Sequence, residues 1–234
     1  MKKIDTHCHS LSVSACSHIP AARISEVHHN AGIDMYVLTN HYNHIVNFGE
    51  DKNDRIEGFL ADFHMAREMG KKIGVTAMLG AEVFFWQRYM ENGEEKTKHA
   101  DFLLYGITES FIRKHYPLYE LSQKELFELC CSENVIMIQA HPFRIEQKHQ
   151  PFDLKYMHGM EIYNGHPHFS PGTEQVKELT KDIDGFYYTG GTDMHIKEQA
   201  GTAGMYVPDE VECIEDLCFA IRNGQTKIFP LDAE

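Results

Sequence analysis

Two histidines separated by a single residue follow the first apolar stretch of the chain. That stretch reads Lys-Ile-Asp-Thr-His-Cys-His-Ser, so His7 and His9 flank Cys8. On a β-strand, alternate side chains point to the same face, roughly 7 Å apart along the backbone. Two imidazoles placed in this way can bind one metal ion, because neutral imidazole is a common metal ligand. Taken alone, the pair is better explained by two solvent-exposed histidines.

Other metal-competent side chains occur at or near the ends of later apolar stretches. The sequence holds sixteen histidines and a single tryptophan, which is an unusual balance. Each polar residue alone has an ordinary structural explanation, but their repeated occurrence near strand ends predicts one shared site. The candidate metal ligands are His7, His9, His41, Glu82, Asp101, His141, Asp193 and His195, and the weaker candidates are Cys16, His18 and His99.

Strand-like and helix-like stretches alternate along the whole sequence. Apolar stretches typical of strands occupy residues 3–6, 35–39, 76–85, 102–106, 135–139, 160–163 and 186–190. Helical spacing of apolar residues appears in 20–31 and 56–70, after Ser122, around 176–179 and over 214–224. Ser122 and Glu125 form the pattern of a capping box at a helix start. A polar loop is expected at 91–98.

This alternation predicts an α/β fold with a parallel sheet, built as one domain over residues 1–234. About seven strand–helix units favour a distorted (β/α)7 TIM-like barrel over an open doubly wound sheet. In such barrels the carboxyl ends of the strands meet at one face, where active sites lie. The candidate ligands are therefore expected to converge there.

Composition restricts the class of partner and the compartment. The formal net charge of −13 argues against extended binding to a nucleic-acid backbone, which requires a basic surface. No apolar stretch is long enough for a membrane span, and no signal-peptide pattern precedes the first strand, so we expect a cytoplasmic protein. The six cysteines lack a paired spacing, which favours reduced thiols. The oligomeric state is not predicted.

The candidate ligands outnumber what one ion can use. Histidines combined with carboxylates suit two or three divalent ions of Zn, Mn or Fe, with Glu82 able to bridge a pair. Clusters of this kind promote hydrolysis by activating water and by binding the oxygens of an ester.

The motifs also resemble those of the PHP (polymerase and histidinol phosphatase) family of metal-dependent phosphoesterases, most closely its short stand-alone members. The shared segments are DTHCHS, GIDMYVLTNHYN, LGAEVFF, IQAHPFR and GTDMH, in this order. The resemblance implies a distorted (β/α)7 barrel with three metal positions. The implied ligand sets are His7, His9, Glu82 and Asp193 for the first ion, Glu82 and His141 for the second, and His41 and His195 for the third.

Three positions differ from the usual pattern of that family. Asp101 stands where a histidine is common, with His99 as its rival. The extra Asp or His ligand expected soon after the H-x-H motif is missing, and Cys16 and His18 are the nearest substitutes. Asn40 stands where an aspartate usually precedes the histidine of the second motif.

The resemblance implies hydrolysis of a small phosphorylated metabolite or nucleotide, as a monoester or a diester. In this reading Glu82 takes part through the ions, Arg144 grips the phosphate with two donors, and His195 or His41 protonates the leaving oxygen unless it binds metal. Two alternatives stay open. One is a metal hydrolase of the amidohydrolase type, and the other is a non-catalytic metal-binding or regulatory domain.

Overall fold

The computed structural model describes residues 1–43, 51–144 and 147–231, and ten strands and six α-helices lie within them. The strands are β1 (Lys2–Cys8), β2 (Met35–Leu38), β3 (His41–Tyr42), β4 (Thr76–Glu91), β5 (Glu94–Tyr105), β6 (Ile136–Ala140), β7 (Gly159–Asn164), β8 (Tyr187–Gly191), β9 (Gly204–Val207) and β10 (Lys227–Phe229). The helices are α1 (Ala21–Asn30), α2 (Lys52–Ile73), α3 (Glu109–His115), α4 (Gln123–Ser132), α5 (Thr173–Thr180) and α6 (Ile214–Arg222).

The strands form one sheet that curls into a nearly closed barrel. The strand order is β10-β9-β1-β2-β4-β5-β6-β7-β8, with β3 paired to β4 beside this path. The barrel closes where the segment after β8 meets β1. Met194 of this segment forms a parallel bridge with Cys8, and its backbone oxygen accepts the His9 N–H at 3.1 Å. Seven strands, β1, β2 and β4 to β8, form the wall of the barrel, while β9 and β10 extend the sheet beyond β1. The prediction of a TIM-like α/β barrel is confirmed.

The sheet is mixed, so the prediction of an all-parallel sheet was wrong. Strand β5 runs antiparallel to both β4 and β6, and β9 runs antiparallel to β1 and β10. The loop predicted at 91–98 was also wrong, because only Asn92 and Gly93 form the turn of a long β4–β5 hairpin. Both turn residues have positive φ, 53° and 84°. The outer hairpin is exposed on both faces and therefore lacks the apolar periodicity of a core strand.

Local sequence signals set the helix ends. The Asp51 side chain accepts the Asp54 N–H at 2.9 Å and begins α2, which ends before Gly74 at a φ of 78°. Glycine suits that left-handed position because it lacks a Cβ atom. The predicted capping box of Ser122 and Glu125 begins α4.

Apolar side chains fill the space between the barrel and its helices. Tyr36 of β2 is fully buried and shares a 2.7 Å hydrogen bond with Ser25 of α1. Phe102 of β5 packs edge-to-face on Phe85 and Phe152, with centroids 5.5 and 6.0 Å away. Among the described residues, no helix has the length and apolar character required to cross a bilayer.

Candidate metal centre

The two histidines of the first motif meet at the carboxyl end of β1. His7 and His9 are fully buried, and their Nε2 atoms lie 3.1 Å apart. The carboxylate of Asp5 accepts the backbone N–H groups of His7 at 3.1 Å and of Thr192 at 3.0 Å. The strand period therefore brings both imidazoles to one place, and Asp5 ties this strand end to the segment that follows β8.

Glu82 lies at the middle of the cluster and is 1% exposed. It stands on β4 in register with His41 of β3. Its Oε1 atom is 3.2 Å from Nε2 of His7 and 3.2 Å from Nε2 of His141. Its Oε2 atom is 2.6 Å from Nδ1 of His41 and 3.5 Å from Nε2 of His9. One carboxylate thus contacts four imidazoles.

Asp193 connects the first two histidines to an arginine. It follows β8 with a φ of 52°, a conformation that aspartate tolerates better than most residues. Its Oδ1 atom is 3.2 Å from Nε2 of His9 and 3.4 Å from Nε2 of His7. Its Oδ2 atom accepts a 2.7 Å hydrogen bond from Nη2 of Arg144, which also donates to Asn164 Oδ1 at 2.8 Å.

The arrangement of donor atoms fits divalent cations. Nδ1 of His7 lies 3.0 Å from a carboxylate oxygen of Glu161, so this nitrogen carries the proton of the neutral ring. The lone pair on Nε2 then faces oxygens of Glu82 and Asp193. These groups repel one another unless a proton or a metal ion lies between them. Glu82 Oε2 has no hydrogen bond of acceptable geometry within the described residues, although it is buried.

All eight predicted ligands fall into groups whose ligand atoms lie within 4.8 Å of one another. The groups are His7, His9 and Glu82; His7, His141 and Asp193; His9, His41 and His195; and Asp101, His141 and His149. The predicted side chains therefore do converge. Their roles as ligands are taken up below as a proposal.

The last group contains a histidine that the sequence did not predict. Asp101 lies on β5 opposite Ala140, the last residue of β6, because β5 runs against its neighbours. Its Oδ2 atom is 3.5 Å from Nδ1 of His149 and 3.9 Å from Nε2 of His141. The two histidine Nδ1 atoms are 3.1 Å apart. His149 belongs to the loop after β6, and no spacing in the sequence singles it out.

Cys16 lies beside the third group. Its Sγ atom is 3.1 Å from Nε2 of His195, whose Nδ1 atom lies 2.7 Å from the backbone oxygen of Asp193. Burial raises the pKa of the Cys16 thiol, but hydrogen bonds with His195 and His41 outweigh burial and lower this pKa to about 6. Of the three weaker candidates, Cys16 is the one that reaches the cluster.

The two other weaker candidates, His18 and His99, lie outside these groups. A separate buried group consists of His28, Asp5 and Cys8. There Nε2 of His28 is 3.2 Å from Asp5, and Nδ1 is 2.9 Å from the Ile24 carbonyl oxygen. Because both nitrogens of His28 have hydrogen-bond partners, this group is explained as a structural contact between α1 and β1.

Without ions, the buried charges shift one another's pKa values. Burial lowers the pKa of His7, but Glu161 and two further carboxylates outweigh burial and hold this pKa well above its ordinary value. Burial raises the pKa of Glu82, whereas His41 and His7 hold it well below the ordinary value. Burial and the negative charge of Glu82 both raise the pKa of Asp101 well above its usual range. Protons or metal ions are therefore needed to compensate the negative charge of the buried carboxylates.

The cluster forms the floor of a cleft of about 330 Å³. Arg144 is buried in its wall, with the guanidinium carbon 4.6 Å from the centre of the Phe169 ring. The Nε atom of Arg144 has no hydrogen-bond partner among the described residues. Histidine, carboxylate and thiol side chains line much of the remaining surface, namely Cys16, His41, Glu82, Asp101, His141, His149, His166, Asp193 and His195.

Comparisons with known proteins give structural matches but no sequence matches. No protein-family model matches the chain, and no curated protein matches it. PsfC from Pseudomonas syringae aligns with a TM-score of 0.66 at 19% identity, covering 97% of this chain and 90% of PsfC. A Bifidobacterium adolescentis protein classed as a metal-dependent phosphoesterase aligns with a TM-score of 0.50 at 11% identity, over 94% and 96% of the two chains.

Two further structures share the fold. An amidohydrolase from Chromobacterium violaceum, with bound sulfate and no metal, has a TM-score of 0.57 at 13% identity, covering 93% of this chain and 96% of its own. The lesion-specific endonuclease EndoQ from Pyrococcus furiosus has a TM-score of 0.55 at 16% identity, covering 97% of this chain and 57% of its own. At these identities the likeness concerns the fold, and it agrees with the PHP-like fold that the sequence motifs indicate.

Proposed function

We propose that the chain is a metal-dependent hydrolase that acts on phosphate esters. The observation that carries this proposal is the convergence of buried imidazoles and carboxylates beneath a cleft that also presents Arg144. The proteins of similar fold include one classed as a metal-dependent phosphoesterase, an amidohydrolase and an endonuclease. They support a hydrolytic activity and leave the type of bond open.

The proposed ligands divide into three sets, with Zn, Mn or Fe as the ions. Two or three positions are filled, by His7, His9, Glu82 and Asp193; by Glu82, Asp101 and His141; and by His41 and His195. When bound, divalent ions supply Lewis-acid catalysis and hydroxide near neutral pH. Glu161 fixes the proton on Nδ1 of His7 and so keeps Nε2 available for coordination.

Arg144 is the proposed phosphate-binding residue. Its guanidinium is held by Asp193 and Asn164 and rests on Phe169, so little side-chain entropy is lost when it binds an anion. The guanidinium borders the cleft, where it is proposed to donate to a phosphate oxygen. The positive charge of Arg144 attracts the negative charge of the phosphate.

His195 is better suited to coordination than to proton donation. Its Nδ1 atom donates to a backbone carbonyl, so Nε2 keeps a lone pair that points toward Cys16. A general acid would need a proton at that same nitrogen. The hypothesis that His195 or His41 protonates the leaving oxygen is therefore the weaker one.

The volume of the cleft favours a small ester or a nucleotide as substrate. A polynucleotide is the alternative that the fold of EndoQ raises, although the net charge of −13 opposes broad contact with a phosphate backbone. An amidohydrolase-type reaction is the second candidate, because one protein of the same fold carries that assignment.

The test is hydrolysis by protein loaded separately with Zn²⁺, Mn²⁺ and Fe²⁺. The substrates are p-nitrophenyl phosphate, bis(p-nitrophenyl) phosphate and a panel of aryl amides and lactones. We expect turnover of a phosphate ester that a chelator abolishes and that Glu82→Gln lowers by about 1,000-fold or more. Glu109→Gln, on the exposed side of α3, is the matched control and should retain activity.

Two outcomes would overturn the proposal. Turnover of amides or lactones alongside an inert phosphate panel would favour the amidohydrolase reading. Stoichiometric ion binding with no turnover of any substrate would favour a non-catalytic metal-binding domain.

A further inference from the structure

Cys16 faces an imidazole nitrogen that carries a lone pair whenever the ring is neutral. The sulfur lies 3.1 Å from Nε2 of His195. Nδ1 of the same ring is 2.7 Å from the backbone carbonyl oxygen of Asp193, which can only accept a hydrogen bond. The proton of the neutral ring is therefore on Nδ1, and the Nε2 lone pair points at the sulfur.

Other possible ligand atoms lie near the same place. The ligand atoms of His9, His41 and His195 lie within 4.8 Å of one another, and the Cys16 thiol also interacts with the His41 side chain. The buried Oε2 atom of Glu82 is 2.6 Å from Nδ1 of His41, without a hydrogen bond of acceptable geometry in the described part of the chain. Three imidazoles thus converge beside the thiol, and the Glu82 carboxylate contacts two of them.

The backbone immediately after Cys16 is fixed to the site by two hydrogen bonds. The Ser17 hydroxyl donates to the His9 carbonyl oxygen at 3.0 Å, and the His18 N–H donates to the His195 carbonyl oxygen at 2.7 Å. The segment between β1 and α1 is therefore tied to two of the residues that form the position. Its geometry brings the thiol to the cleft, whose surface Cys16 helps to form.

We propose that the Cys16 thiolate coordinates a third ion together with His41 and His195, and that sulfur makes this position prefer Zn²⁺, Fe²⁺ or Co²⁺ over Mn²⁺ and Mg²⁺. Thiolate is a soft ligand, and Mn²⁺ and Mg²⁺ favour oxygen. With bond lengths of about 2.3 Å to sulfur and about 2.0 Å to nitrogen, two ligands of one zinc ion lie about 3.5 Å apart, a few tenths of an ångström from the distance found. Binding releases the thiol proton to solvent.

This inference deepens the proposed function, on which it rests for the other ions, but it is tested without an activity assay. Wild-type protein is loaded with Co²⁺, and near-ultraviolet absorption is recorded for a sulfur-to-cobalt charge-transfer band. We expect the band in the wild type and its loss in Cys16→Ser, with one ion fewer per chain by elemental analysis. Cys131→Ser is the matched control, because Cys131 is an exposed thiol 3.7 Å from Nε2 of His158.

A second measurement needs no variant. Cys16, Cys131 and Cys213 are the exposed thiols, and each should react with a disulfide reagent in the metal-free protein. Loading with Zn²⁺ should protect one thiol, identified by peptide mapping as Cys16, whereas Mn²⁺ should not. Cys16→Ser should weaken Zn²⁺ binding at the weakest position by at least about tenfold.

The inference fails if loaded protein binds ions but shows no charge-transfer band and leaves Cys16 fully reactive. In that case hydrolysis of phosphate esters can still proceed, and the proposed function stands. If the protein binds no transition ion at all, both proposals fail together.

Discussion

At the scale of single residues, Arg144 is the clearest test of phosphate recognition. It is buried in the wall of the cleft and held by Asp193 and Asn164. We expect Arg144→Ala to lower kcat/KM for a phosphate ester by about 100-fold or more, because it removes a fixed donor for the substrate charge. Arg144→Lys should recover only part of this loss, since a lysine cannot reproduce the planar donor set.

The measurement is steady-state kinetics combined with inhibition by inorganic phosphate, and both KM and the inhibition constant should rise. Arg23→Ala is the control, since Arg23 pairs with Glu26 at the surface of α1. Unchanged phosphate inhibition in Arg144→Ala, at equal metal content, would assign the residue to the support of Asp193 alone.

The sequence predicts the candidate metal ligands on or next to strands. It predicts less well the residues that reach the cluster from a loop or that hydrogen-bond to a candidate ligand. His7 lies near the end of β1, Asp193 follows β8, and Glu82 interrupts the apolar part of β4, so each contrasts with the apolar residues before it. His149 lies in a loop, and only the fold brings it to 3.1 Å from His141. Glu161 lies within β7, and its hydrogen bond to His7 depends on how β7 approaches β1 across the barrel.

At the scale of elements, the close approach of β8 to β1 requires a glycine. A Cβ atom on Gly191 would lie 2.5 Å from Cβ and 2.8 Å from the backbone nitrogen of His7. We expect Gly191→Ala to reduce the free energy of unfolding by about 1–3 kcal/mol, because an added methyl group forces a packed backbone apart. We also expect weaker metal binding, since His7 must move. Denaturant unfolding and metal titration measure the two effects.

Gly185→Ala is a matched control for this variant. Gly185 has a φ of 71° and open space around it, so alanine should cost about 1 kcal/mol through backbone strain alone. Its metal affinity should match that of the wild type. Equal metal affinity in Gly191→Ala would show that the β1–β8 contact does not position His7.

A second element-scale prediction concerns His158, which joins β6 to the start of β7. Its Nδ1 atom accepts the Met137 N–H at 3.1 Å, and its ring packs on Phe127 of α4. Burial, with a smaller effect of Arg222, lowers the pKa of His158 to about 4. The unfolded chain therefore binds this proton near pH 6.5 and the folded chain near pH 4. The stability that the neutral His158 contributes to the folded state is therefore complete above pH 6.5 and is lost as the pH falls toward 4.

His158→Asn should remove this pH dependence, because asparagine offers an acceptor oxygen that does not titrate. Between pH 7 and pH 4.5, the wild type should lose about 1–2 kcal/mol more stability than the variant, after allowance for partial exposure. Chemical denaturation at several pH values measures the difference. Parallel stability curves for the two proteins would contradict the assignment.

The β4–β5 hairpin explains why strand direction was not predicted. The inner parts of both strands are apolar and look like separate barrel strands, while the outer part is polar and looks like a loop. Pairing across the hairpin, from Gly80 with Tyr105 out to Glu91 with Glu94, makes the polar part a strand as well. The reversal also places Asp101 at the same end of the barrel as His141, although it stands at the start of the apolar part of its strand.

At the scale of the whole molecule, the barrel brings buried carboxylates close together, and their negative charges destabilise the fold unless they are compensated. The chain carries a formal charge of −13, and buried carboxylates such as Glu82 and Asp193 lie among histidines at the cluster. Each histidine that becomes protonated, and each ion that binds, offsets this negative charge. The order of the motifs in the sequence predicted that these histidines and carboxylates converge. The number of ions that they can bind depends on distances that only the closed barrel defines.

If the proposed ions bind, their removal should therefore lower the thermal stability of the barrel. Ions present at about 100 times their dissociation constant add about 2.7 kcal/mol per site, and for a chain of this size that corresponds to roughly 5–10 °C in Tm. Differential scanning calorimetry before and after chelation measures the shift, and Zn²⁺ should restore it. In Glu82→Gln, which removes the carboxylate proposed to be shared by two ion positions, chelation should change Tm much less. A wild-type Tm that ignores both the chelator and Zn²⁺ would mean that protons, rather than metal ions, compensate the buried carboxylates.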